Sequence, residues 1–122
     1  MKISESAEMY LETILVLSKK GKVRSIDIAH AMNFSRPTVS VTIHNLEAEN
    51  YLKIEKDGNI SLNPKGLEIA KKIYERHEVL TKMLITLGVN EKTAVEDACK
   101  IEHDISDETF SCIKAHIAAM SK

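Results

Sequence analysis

Apolar residues recur at helical intervals between Ser4 and about Lys20, at Ala7, Tyr10, Leu11, Ile14, Leu15 and Leu17, predicting a first helix with Ser4 as N-cap and Gly21 as stop. A short second helix is predicted over SIDIAHAM, capped by Ser25, with Ile26, Ile28, Ala29 and Met32 as its apolar positions. A tight Asn33-Phe34-Ser35 turn leads into a third. There Ser35 is the expected cap, and Arg36 and Pro37 fill the first turn, where proline's missing N–H costs nothing. Val39, Ile43 and Leu46 supply its buried stripe.

The period then changes from helical to alternating. Leu52 to Lys56 alternates apolar with polar, Asp57-Gly58 offers a positive-φ turn, and Asn59 to Leu62 alternates back, which predicts a two-stranded hairpin. Two short helices joined by a tight turn and followed by a hairpin make a winged helix-turn-helix; a helical bundle with an incidental hairpin is the competing reading. Asn63-Pro64 opens a long helix that runs to about Leu87 and stops at Gly88, with apolar positions at Leu67, Ile69, Ile73, Val79, Leu80, Met83, Leu84 and Leu87. Its first part should brace the wing and its later part should join a dimer interface, with further helices near Glu91 to Asp104 and Asp107 to Ala119. The fold class is therefore mainly α: a winged helix-turn-helix domain at 1–63, then an all-helical domain at 64–122.

Composition narrows the partners only a little. The chain of 122 residues is 43% hydrophobic with a formal net charge of −1, and neither half is basic overall, so any DNA affinity must come from local placement. Lys19, Lys20, Lys22, Arg24, Arg36, Lys53 and Lys56 are the candidate phosphate contacts. The longest apolar run, Ile14 to Leu17, is far short of the ~20 residues of a membrane span, and the start lacks an apolar signal core, so a cytoplasmic protein with no membrane partner is expected. Two cysteines make a poor disulfide framework. Cys112 is expected in the core, as free cysteines usually are.

Cys99, Glu102 and His103 stand at i, i+3 and i+4 in VEDACKIEHDIS. On a helix that spacing gathers a sulfur, a carboxylate and an imidazole within an arc of about 100°, a donor set suited to a divalent transition metal. Sulfur is a soft donor and favours Fe(II), Co(II), Ni(II) or Zn(II), while the carboxylate also accepts Mn(II).

The segments SAEMYLETI, SRPTVSVTIHNLE, LNPKG, RHEVL and EDACKIEHDISDE resemble the metal-responsive repressors typified by the diphtheria toxin repressor and the manganese transport regulator. The resemblance covers nearly the whole chain. It implies a homodimer that binds double-stranded operator DNA with Fe(II) or Mn(II) as corepressor, in the shorter two-domain architecture without an SH3-like domain, and it suggests metal-uptake genes as targets. The iron-responsive pattern implies Met9, Cys99, Glu102 and His103 as ligands; the manganese pattern implies Glu12 and His77. This chain mixes the two. An ancillary site of the iron-responsive members is absent as such, because its further donor positions hold Thr81 and Val95.

Met9 and Glu12 stand on the helix preceding the reading module, so an ion that also engages the Cys99 cluster would act as a clamp between domains. For reading bases, the start of the third helix is expected to act through Ser35 and Thr38 hydroxyls, Arg36 and Pro37, with Ser40 and Thr42 as weaker candidates. Val41 occupies a reading position of the family and offers no side-chain hydrogen bond, so the operator should differ from those of relatives. Two other functions compete: a winged-helix regulator answering to an organic ligand or protein, and a metal-dependent hydrolase using Glu102 and His103. The hydrolase lacks a separate general-base constellation, and Ile101-Glu102-His103 occurs once, so no enzyme is expected.

Overall fold

The computed structural model describes residues 3–120. Among them the order of elements is α1 (Glu5–Ser18), α2 (Ser25–Met32), α3 (Arg36–Ala48), β1 (Leu52–Ile54), β2 (Ile60–Leu62), α4 (Pro64–Thr86), α5 (Glu91–Ile101) and α6 (Asp107–Met120). None of these helices is long and apolar enough to cross a membrane. Two compact units divide between Lys71 and Lys72.

In the first unit, local chemistry sets each helix end. Ser4 Oγ accepts from the Ala7 N–H at 3.1 Å, and Glu5 and Glu8 place negative charge at the positive end of α1. The start of α2 corrects the sequence reading. Its N-cap is Arg24, whose N–H donates to Asp27 Oδ2 at 2.9 Å, so Ser25 is the first helical residue rather than the cap. Ile26, expected with the apolar set, is exposed, while Ile28 and Ala29 are buried. Asn33 adopts the left-handed conformation (φ 58°) that reverses the chain, and the Phe34 N–H closes the turn on Ala29 O at 3.1 Å. Ser35 then caps α3, its Oγ accepting from the Thr38 N–H at 3.3 Å, with Pro37 in the first turn.

The wing pairs antiparallel with Leu52 opposite Leu62, Lys53 opposite Ser61 and Ile54 opposite Ile60. Gly58 takes φ 88° at its tip, where an L side chain would be strained. Three hydrogen bonds fasten the hairpin to the α1–α2 connection and to α3: Ile60 N–H to Val23 O (2.7 Å), Val23 N–H to Asn59 Oδ1 (2.9 Å), and Ile54 N–H to Glu47 Oε2 (2.8 Å). Tyr10, Leu11, Ile14, Ile28, Val39, Ile43, Leu52 and Ile60 form one core cluster with their neighbours. Each fully buried Leu or Ile contributes about 1.5–3 kcal/mol by leaving water. The first turn of α4 docks here as well. Asn63 donates through its backbone to Tyr51 O (3.0 Å) and through Nδ2 to Asn50 O (3.2 Å), and a Cβ on Gly66 would stand only 2.1 Å from Tyr51 O.

The second unit comprises the rest of α4 with α5 and α6. Leu87, Gly88 and Val89 donate to the carbonyls of Met83, Ile85 and Leu84, with Gly88 at φ 101°, ending α4 where the glycine predicts. Asn90 caps α5, and Ser106 Oγ accepts from the Thr109 N–H at the start of α6. Buried positions repeat along one face of each helix: Ile73 and Leu80, Ala94 and Ala98, Phe110 and Ile117. Two expectations fail here. Helix α5 stops at Ile101, short of Asp104, and Cys112 is exposed rather than packed. Cys112 follows Phe110 by two residues, about 200° around the helix, and so points away from the buried line.

Candidate metal centre and DNA interface

On α3 the residues expected to read DNA lie at or near the surface. Ser35, Arg36, Pro37 and Thr38 are exposed, Ser40 and Thr42 are half-buried, and Val41 is 63% exposed. Their hydroxyls are not equally available. Ser35 Oγ donates to Thr38 Oγ1 at 2.8 Å while it caps the helix, and Thr42 Oγ1 donates to Thr38 O at 3.1 Å. Thr38 therefore keeps its hydroxyl proton to offer, whereas Ser35 and Thr42 would first have to break an internal bond.

At the wing, Arg24 is exposed and its Nε would lie 4.0 Å from a Cβ on Gly58, which sets a guanidinium beside the hairpin tip. Lys22 is tied to Asp57 at 2.7 Å. That hydrogen bond, followed by one from the Asn59 backbone, holds the Asp57 carboxyl below its ordinary range. Part of the local positive charge is thereby neutralised.

In the second unit His77 on α4, Cys99 on α5 and Glu102 just past α5 converge. His77 Nδ1 lies 2.9 Å from Glu102 Oε2 and 3.7 Å from Cys99 Sγ, and the three donor atoms lie within 4.8 Å of one another. Although α5 ends at Ile101, Glu102 keeps helical dihedrals (φ −57°, ψ −24°) as its C-cap, which preserves the i, i+3 relation to Cys99. The other carboxylate oxygen, Oε1, lies 3.4 Å from His103 Nε2, so one carboxylate faces two imidazoles. Both the Glu102 and His103 side chains are 1% exposed, against 20% for His77.

Donors bonded to one ion at about 2.0–2.3 Å stand roughly 3 to 4 Å apart, so the residues present fit a divalent metal without large movement. The electrostatics fit too. Hydrogen bonding to Cys99 first, then to Glu102, raises the His77 pKa to about 10 against the opposing effect of burial. In the metal-free protein a proton on His77 thus supplies positive charge to the cluster, and a bound cation would take its place.

Met9 and Glu12 lie one turn apart on α1 of the first unit, Met9 39% exposed and Glu12 half-buried. Arg76 escaped the sequence reading. It is buried beside the cluster, with Nη1 donating to Glu102 O (3.2 Å) and Ile105 O (2.8 Å) and Nη2 to Asp107 Oδ1. Adjacency to His77 in RHEVL is the only sign of it in the sequence, because its partners, two backbone carbonyls and the Asp107 carboxylate, lie far along the chain.

Comparison with known proteins supplies the family. The N-terminal DNA-binding domain of iron-dependent repressors matches residues 2–60, and their metal-binding and dimerisation domain matches residues 63–122. A helix-turn-helix-type transcriptional regulator of Methanocaldococcus jannaschii is 36% identical over 92% of this chain and 92% of its own length. The regulator MntR of Geobacillus thermodenitrificans is 37% identical over 83% of this chain and 72% of its own. Among solved structures, the manganese regulator SloR superposes with a TM-score of 0.81 at 27% identity, covering 97% of this chain; the chain spans about half of that protein, 55%. The chain belongs to the iron-dependent repressor family, metal-dependent DNA-binding transcriptional regulators that dimerise and are not enzymes.

Proposed function

We propose that this protein is a cytoplasmic repressor of metal-uptake genes that binds operator DNA as a homodimer when loaded with Fe(II) or Mn(II). The observation that carries the reading is the buried Glu102 carboxylate, set between His77 and His103 with the Cys99 sulfur alongside. A buried carboxylate surrounded by sulfur and imidazole donors is costly unless a cation compensates it. We assign residues 1–63 to DNA reading and 64–122 to metal binding and dimerisation, in keeping with the family domains matched at 2–60 and 63–122.

The proposed ligands are His77, Cys99, Glu102 and His103, joined by Met9 and Glu12 from α1 on the strength of family resemblance. When bound, the ion supplies positive charge and fixed coordination geometry to these donors. Drawing donors from α1 as well as from the second unit makes the placement of α3 depend on occupancy. Two recognition helices must sit about 34 Å apart, or a multiple of that, to enter successive major grooves. Glu102 and His103 hold the centre, Thr38 and Arg36 read or anchor at the start of α3, and Pro37 and Val41 offer apolar surface to a thymine methyl. Ser35, Ser40 and Thr42 line the same helix, and Arg24 meets phosphate beside the wing. A coupling of roughly 1 to 3 kcal/mol would raise operator affinity about 5- to 150-fold.

The choice between Fe(II) and Mn(II) turns on Cys99, whose sulfur favours Fe(II), whereas SloR is a manganese regulator. Co(II), Ni(II) and Zn(II) should bind in vitro. The test is an electrophoretic mobility shift with candidate metal-uptake promoters, first with chelator and then with added Fe(II) or Mn(II). Operator binding should appear with metal and vanish with chelator; equal binding in both conditions would overturn the reading.

A further inference from the structure

Arg76 is 5% exposed, yet its partners are chiefly the ends of other elements. A buried guanidinium is costly, and the segment that joins α5 to α6 pairs two of its three nitrogens, leaving Nε without a hydrogen bond. Nη1 takes the carbonyls of Glu102 and Ile105, Nη2 takes Asp107 in the first turn of α6, and the guanidinium carbon lies 5.3 Å from the centre of the Phe110 ring. The carbonyls at a helix C-terminus lack intrahelical donors and carry partial negative charge, so a cation there is doubly favoured. Lys72 Nζ, 3.0 Å from the same Asp107 oxygen, completes the tie from the preceding turn of α4.

The segment gripped in this way carries two of the donors, Glu102 and His103, and the residue that grips it adjoins a third, His77. Its hold on Glu102 uses the backbone carbonyl and leaves both carboxylate oxygens facing the two imidazoles. We infer that Arg76 is a positioning residue of the metal centre: by pinning the Glu102 and Ile105 carbonyls and Asp107 to α4, it sets Glu102 and His103 in ligating position before any ion arrives. The inference rests on the reading of His77, Cys99, Glu102 and His103 as ligands. Partners that orient ligands in this way typically govern metal affinity by about 10- to 100-fold. A lysine in its place could reach one carbonyl but not fork between two and a carboxylate.

The experiment is Co(II) titration of the full chain and of Arg76→Met, Arg76→Lys and Asp107→Asn. Absorption reads the ligand field and the sulfur-to-metal charge transfer, and circular dichroism checks the fold. Arg76→Met should weaken Co(II) binding by about tenfold or more and change the ligand-field bands, with partial recovery in Arg76→Lys and a few-fold loss in Asp107→Asn. Lowered thermal stability with wild-type affinity and spectrum in the arginine variants would make Arg76 merely structural and overturn the inference. Should Arg76→Met fail to fold, Arg76→Lys and Asp107→Asn decide: weakened binding with altered bands supports the inference, and unchanged binding overturns it. A wild-type chain that binds no Co(II) would overturn the metal reading itself, and this inference with it.

Discussion

The core cluster of the first unit is built from hydrophobic side chains, whereas the second unit buries Arg76 and Glu102 beside Ile73, Leu80, Phe110 and Ile117. A hydrophobic cluster needs no ligand to be favourable, so the α1–α3 core can present the recognition helix as a fixed part. A buried carboxylate needs a positive partner, and in the second unit a proton on His77 supplies it; under the proposed function a metal ion would take that proton's place. On the proposed reading, one unit presents the recognition helix and the other responds to metal and acidity.

The largest effect should come from removing the exchangeable feature. Glu102→Ala deletes the carboxylate facing both imidazoles and should abolish metal-dependent operator binding in mobility shifts, while NMR titration shows the His77 pKa falling below about 10, with the Cys99 hydrogen bond still holding it above its ordinary value. A retained metal response would break the contrast between the units. Next in size, Ile14→Ala in the first core should cost about 2–5 kcal/mol in urea unfolding. A loss well below 1 kcal/mol would show that this core is not the rigid part.

Acidity should sharpen the contrast further. With the His77 pKa raised to about 10, a metal ligated by His77 as proposed must displace its proton, and affinity should fall roughly tenfold for each pH unit of acidification below that value from this group alone. Stability of the metal-free fold runs the other way. A pKa raised from 6.5 to about 10 contributes stability that is fully present below pH 6.5 and is lost as pH rises through about 10. Calorimetric metal titrations and urea melts across this range should give opposite slopes; parallel slopes would remove His77 from the centre. The smallest effect belongs to the first unit, where Ser35→Ala should cost about 1 kcal/mol by uncapping α3, read as a shift of the urea midpoint.

The winged helix-turn-helix was legible because it obeys local rules. Ser4, Ser35, Asn33, Gly58 and Gly88 each act where their own conformational preferences place them. The SIDIAHAM span of α2 is right, but its cap is Arg24 rather than Ser25, because Asp27 reaches back to accept from the Arg24 N–H and the serine becomes the first helical residue. Cys112 misled because residue type alone argued for burial while its position around α6 decided otherwise. In the second unit, spacing and resemblance single out His77, Cys99 and Glu102, side chains that the fold brings together. Arg76 could not be found in this way, since two of its partners are backbone carbonyls and its one carboxylate partner, Asp107, lies 31 residues away with no helical spacing to link them.

Gly66 has a genetic consequence. Because a Cβ there would stand 2.1 Å from the Tyr51 carbonyl oxygen, even alanine must part the first turn of α4 from Tyr51, while the proposed metal donors keep their chemistry. A screen for derepressed mutants should recover Gly66 substitutions as temperature-sensitive alleles, whose products still load the ion yet lose their grip on the promoter when warmed.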